Sequence, residues 1–117
     1  MGYDLFGKGG QSRWSIDLWP RVLQLAVMHG WRSSGTILLS EDKKFYDPTW
    51  CRSYLSNDGQ MVMQTDARRL ATALAKALRA HAKGPRNRKR DRLVSMLNKD
   101  ALTAFIAFCR AGPFVIC

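Results

Sequence analysis

Between Arg79 and Arg92 the chain carries seven lysine or arginine side chains against one acid, Asp91. They are Arg79, Lys83, Arg86, Arg88, Lys89, Arg90 and Arg92. A run so dense in one sign attracts a polyanion, and its excess of arginine suits bidentate contact with phosphate. Upstream, Arg68, Thr72 and Lys76 share a helical spacing with Arg79 and Lys83, so the run is expected to continue as a ridge along one exposed helix side. Like-charge runs are also the usual composition of a solvated strap between helices. The residues therefore offer a phosphate-contacting surface and a plain linker as rival readings of one segment.

Other chemistry is poorly provided for. Nucleophilic catalysis needs Ser or Cys beside a His with a carboxylate behind it. His29 and His81 each close a helical pattern, where the helix dipole alone favours them. The stretch "GKGGQS" has a lysine and glycines but not the spacing of a phosphate-cradling loop. Glu41 is the only glutamate. A carboxylate pair would therefore have to draw on Asp4, Asp17, Asp47 and Asp58, which are scattered and mostly suited to caps or turns. Cys51, Cys109 and Cys117 are odd in number and widely spaced, which makes no disulfide framework. With His29 and His81 they also lack the ligand spacing of a zinc site. The expectation is a chain with no catalytic residues, no cofactor and no metal, its thiols reduced in a cytoplasmic setting. Among the tryptophans, Trp19 reads as core, and Trp14 beside Arg13 is the candidate for stacking on bases.

The elements that must position these groups follow from pattern. At 117 residues and 46% hydrophobic, the chain is expected to form a single domain over 1–117 with a real core. "GYDLFG" reads as a strand broken by "GKGG", and "PFVIC" as a terminal strand. "SIDLWPRVLQLAVMHGW" reads as a helix with Pro20 in its first turn, Trp19, Val22, Leu23, Ala26 and Val27 inward, and Gly30 as its stop. "TDARRLATALAKALRAHA" reads as a helix capped by Thr65, with Ala67, Leu70, Ala71, Leu74, Ala77 and Leu78 buried. "DRLVSMLN" promises one or two helical turns, and "KDALTAFIAFCRAG" a last helix capped by Asn98. Between these helices lies a basic loop expected at 83–92. The middle is least legible: "TILL" fits a strand, "EDKK" and "YDP" look like turns, and "NDG" at 57–59 is a tight-turn signal. The fold class expected is α+β, with about three helices packed on a small sheet that pairs the N- and C-terminal strands, since neither strand can leave its backbone unpaired.

Charge divides the chain. Residues 1–58 are nearly balanced, whereas residues 59–117 hold twelve basic and three acidic side chains. No apolar run nears the ~20 residues that cross a membrane, and the opening "MGYDLFGKGG" lacks an apolar signal core. The stretches "GYDLFGK", "HGWRSSGT", "YLSNDGQMV", "DARRLATALAKAL" and "FIAFCRAGPFVIC" occur in an order that resembles a family of small bacterial and phage proteins without an established activity. The resemblance implies the same architecture and a mobile-element origin. The basic run departs from that pattern, where other members are variable and often acidic. The function expected is a small basic, non-enzymatic binding protein of phage or mobile-element type. Its partner would be nucleic acid or an acidic nucleoprotein complex, an anti-CRISPR or other anti-defence inhibitor being one form of it, with no membrane involved. The alternative is a protein–protein interaction module, an immunity or regulatory partner, in which the run is only a linker.

Overall fold

The glycine-bounded opening turns back on itself at once. In the computed structural model, which describes residues 2–39, 46–52 and 54–117 and the side chains of 2–37 and 54–117, strand β1 (Gly2–Gly7) pairs antiparallel with β2 (Gly10–Ser15). Helix α1 (Trp19–Met28) follows, with Pro20 in its first turn. Then come β3 (Thr36–Leu39), β4 (Tyr46–Arg52) and β5 (Gln60–Val62). Three helices come next: α2 (Gln64–Lys83), α3 (Arg88–Leu97) and α4 (Lys99–Arg110). Strand β6 (Phe114–Ile116) closes the chain. The six described strands form one antiparallel sheet in the order β2-β1-β6-β5-β3-β4. The terminal strands pair as expected, Leu5 opposite Ile116 and Gly7 opposite Phe114, and a middle strand, β5, joins the other side of β6.

Alternation sorts the sheet into two faces. Tyr3, Leu5, Val62, Phe114 and Ile116 are buried on the face that meets the helices. Their neighbours Phe6, Met61 and Val115 point the other way and stay partly exposed, and the register places Val115 opposite both Phe6 and Met61. The centre of the core is aromatic. Phe105 of α4 meets Trp14 and Trp19 edge-on, each at 5.7 Å between ring centroids, and Phe108 and Phe114 lie beside it. The Trp19 indole N–H donates to the Tyr54 carbonyl at 2.8 Å, which gives the buried ring its polar partner.

Several expectations need correction. Among the described residues there are four helices rather than about three, because the segment expected to make one or two turns is a ten-residue helix, α3. Thr65 does not cap α2: the helix begins at Gln64, with Met63 in the cap position and no side-chain cap bond. In α1, Val27 is exposed and Leu25 takes its place inward. The "YDP" turn is part of β4, and the hairpin strand β2 stands where only a break after β1 was expected. "EDKK" lies outside the described residues. Asn98 does cap α4, its side-chain oxygen accepting from the amides of Asp100 and Ala101. Gly30 and Gly59 both hold positive φ, at 94° and 80°, the conformations for which a side chain would be strained. Among the described residues no helix is long and apolar enough to cross a membrane.

Candidate polyanion-binding face

The solvent side of α2 carries the ridge that its spacing promises. Arg68, Thr72, Lys76, Arg79 and Lys83 are all exposed. Arg68 and Lys83 stand fifteen residues apart on a straight helix, a separation of about 22 Å. Six base pairs of duplex occupy a similar length at ~3.4 Å per pair. The opposite side of α2, from Ala67 through Leu70, Ala71 and Leu74 to Ala77, is buried against the rest of the core, which fixes the ridge outward.

The basic run itself is less of a loop than its composition suggests. The expected loop at 83–92 shrinks to residues 84–87, because α3 starts at Arg88. The Asn87 side chain accepts from the Arg90 amide at 3.0 Å and caps that start. Arg86, Arg88, Lys89 and Arg92 remain exposed around the turn and the first turns of α3. Arg90 does not: its side chain is only 5% exposed. Its Nη2 donates to the Pro85 carbonyl at 2.7 Å and its Nε to Asp91 Oδ1 at 3.2 Å. The same Asp91 oxygen lies 2.8 Å from His81 Nδ1. His81, Asp91 and Arg90 thus tie the end of α2 to the start of α3. Hydrogen bonding from His81, and then from Arg90, holds the Asp91 carboxyl below its ordinary range. Sequence alone groups Arg90 with the anion-contacting residues; the fold makes it a structural residue, with its charge directed at Asp91 and a carbonyl.

Trp14 is likewise corrected. It is 5% exposed and packs edge-on against Phe105, so it offers no face to a base. The strand register explains this: Trp14 lies opposite buried Tyr3, whereas Arg13 lies opposite Asp4 and pairs with it at 2.6 Å on the other sheet face. The Trp50 and Cys51 side chains are outside the described residues. Cys109 is fully buried and burial pushes its thiol up, away from nucleophilic thiolate.

The structure adds a feature that no linear reading contains. The turn after α1 lies beside the first three turns of α2, and between them is a cleft of about 570 Å³. Its charged lining is His29, Arg32, Arg68, Arg69 and Lys76, with Thr65 and Thr72 among them. Arg68 and Lys76 belong to the expected ridge; His29, Arg32 and Arg69 do not. Asp66, beside this lining, is 2% exposed and accepts from the Ser34 amide at 3.3 Å. Burial pushes its carboxyl upward, against the opposing pull of the Ser34 hydrogen bond and the nearby Arg69 charge.

His29 is held below its ordinary 6.5, first by burial and then by the charges of Arg90 and Lys76. On unfolding it returns to that ordinary value. Between the lowered folded value and 6.5 the unfolded chain therefore binds more protons, so stability rises with pH in this window and is lost as pH falls through it. His29→Gln should flatten that part of the pH profile. Urea midpoints of both proteins, taken in steps from about pH 7.5 downward across the histidine range, test this, and parallel profiles would refute it.

The chain matches no protein-family model, no curated protein and no solved structure. What defines it is an antiparallel α+β domain whose helical layer presents a basic face.

Proposed function

We propose that this protein is a non-enzymatic binder of nucleic-acid backbone. The observation that carries the reading is the row of exposed cations on one structural unit, Arg68, Lys76, Arg79 and Lys83 on α2, continued by Arg86, Arg88, Lys89 and Arg92 around the start of α3. Contacts of this kind go to phosphate and hold a protein on a strand without reading its sequence. The resemblance to small bacterial and phage proteins supports a setting in which such a protein engages a nucleoprotein of host defence, as an anti-CRISPR or related inhibitor does.

A salt titration of binding to two unrelated DNA duplexes tests the reading. If about five of the eight exposed cations engage phosphate, log K falls against log salt with a slope near −4 to −5, alike for both duplexes. Absent binding, or binding indifferent to salt, would overturn it.

The protein–protein reading also has one observation in its favour. Phe6, at 45% exposure, lies beside Val115 and Met61 on the sheet face that the helices leave open. That apolar row suits a protein surface better than a phosphate backbone.

A further inference from the structure

We infer that the cleft between the α1–β3 turn and the first turns of α2 is a binding site for a terminal phosphate group, either the phosphoryl chain of a free nucleotide or the 5′-phosphorylated end of a strand. This deepens the backbone-binding reading and rests on its premise that these cations meet phosphate.

The cleft shares Arg68, Thr72 and Lys76 with the ridge and adds Arg69 and, from the turn after α1, Arg32, and its shape suits a different phosphate. An internal phosphodiester is tethered on both sides and passes over a convex helix surface. A terminal phosphate is tethered on one side, carries more charge, and can enter a recess. At about 570 Å³ the cleft falls within the ordinary range for small-ligand sites and exceeds what a single carboxylate would fill.

Charge points the same way. Arg32, Arg68, Arg69 and Lys76 converge on this one concavity, and no carboxylate is among the described side chains that line it. Asp66, the acid beside it, is buried, with one carboxylate oxygen accepting from the Ser34 amide. Two elements far apart in sequence are needed to gather these cations, so the cluster is a product of the fold and not of one basic run. Like charges held together repel unless an anion joins them. Arginine supplies planar donors that fit two phosphate oxygens at once, and Thr65 adds a hydroxyl at the rim.

His29 gives the site a signature of its own. It lines the cleft with Lys76 of α2, and its protonation is disfavoured first by burial, then by the charges of Arg90 on α3 and Lys76. A phosphate dianion in the cleft reverses the local sign of the field and makes the imidazolium favourable. Binding near neutral pH should therefore take up protons, and affinity should rise as pH falls from about 7.5 toward 6.

Calorimetric titration with inorganic tripolyphosphate tests the site in the full chain. The wild type should bind one equivalent. The double variant Arg32→Ser, Lys76→Ser should bind on the order of ten- to a hundredfold more weakly, as expected when two charge-assisted contacts go. A charge-matched control, Lys99→Ser with Arg110→Ser on the exposed ends of α4, should bind as the wild type does. Titration in two buffers of different ionisation heat should show proton uptake in the wild type and a smaller uptake in His29→Gln. A nucleoside triphosphate and a matched pair of short single strands, with and without a 5′-phosphate, then identify the source: the cleft takes a strand end if the double variant erases the advantage of the 5′-phosphorylated strand over its unphosphorylated twin, and a free nucleotide if it weakens triphosphate binding and leaves that difference unchanged. No tripolyphosphate binding, or equal loss in the double variant and the charge-matched control, overturns the inference. If that happens while duplex binding keeps its salt dependence, the backbone-binding reading stands and only the cleft assignment falls.

Discussion

Replacing Arg86, Arg88, Lys89 and Arg92 together with serine should flatten the salt dependence of duplex binding by roughly 2 to 4 units of slope, because every phosphate no longer neutralised keeps about 0.9 of a counterion. The weakening should be similar for unrelated sequences, since phosphate contacts position a protein and do not read bases. The fold should be indifferent. All four side chains are exposed, and Arg86 approaches Asp91 only at 4.0 Å with 94% of its side chain in solvent. Arg88 and Lys89 sit in the first turn of α3, where the helix dipole disfavours positive charge, so removing them relieves a small repulsion. The choice of four matters. Arg90, within the same run, must be left alone: serine there would strip the Pro85 carbonyl and Asp91 of a buried donor and would test stability instead of binding. A strap with no binding role makes the contrary prediction, a slope that the fourfold variant leaves unchanged.

Arg90 also shows where the sequence stops being legible. Its charge groups it with its neighbours, but Arg90, Leu93, Val94 and Leu97 recur at the spacing of a helix's inner face, and all four are buried. The apolar stripe of α3 is thus masked at its first position by an arginine, and a basic run passes for a loop. Helices α2 and α4 have no such mask, and their stripes and the Asn98 cap can be read directly. The terminal strands are legible because each is bounded by glycine or proline and must find a partner. Three strands escape: β2 and β4 are the two edges of the sheet, and the interior strand β5 is only three residues long. β2 turns only Trp14 firmly inward among six residues, and β4 contains Pro48, which an edge strand tolerates and a central one does not. The cleft is out of reach for a different reason. His29 and Arg32 come to lie beside Arg68, Arg69 and Lys76 only after α1 and α2 have packed together, and no periodicity within either segment announces that meeting.

The largest effect on stability should come from Phe105. It is 1% exposed and its ring touches four other aromatics, Trp14 of β2, Trp19 of α1, Phe108 of its own helix and Phe114 of β6. One side chain therefore joins the terminal strand, the N-terminal hairpin and two helices. Phe105→Ala removes most of a buried ring and leaves a cavity walled by stiff aromatic neighbours that cannot collapse easily into it, so a cost of about 3–5 kcal/mol is expected. For a domain of this length that lowers the thermal midpoint by roughly 10–20 °C. It is a large share of the ~5–15 kcal/mol that holds such a domain together. Phe105→Leu keeps much of the volume and should cost clearly less. Phe6→Ala supplies the control: the same residue type on the open face of the sheet, 45% exposed, should shift the midpoint only slightly. Thermal unfolding followed by near-ultraviolet circular dichroism reports on the tryptophans that Phe105 holds. A Phe105→Ala midpoint within a few degrees of wild type would mean that Phe105 is not where the sheet and the helices meet. If α1 and α4 are anchored to the sheet through this ring, the order from mildest to most severe is Phe6→Ala, Phe105→Leu, Phe105→Ala.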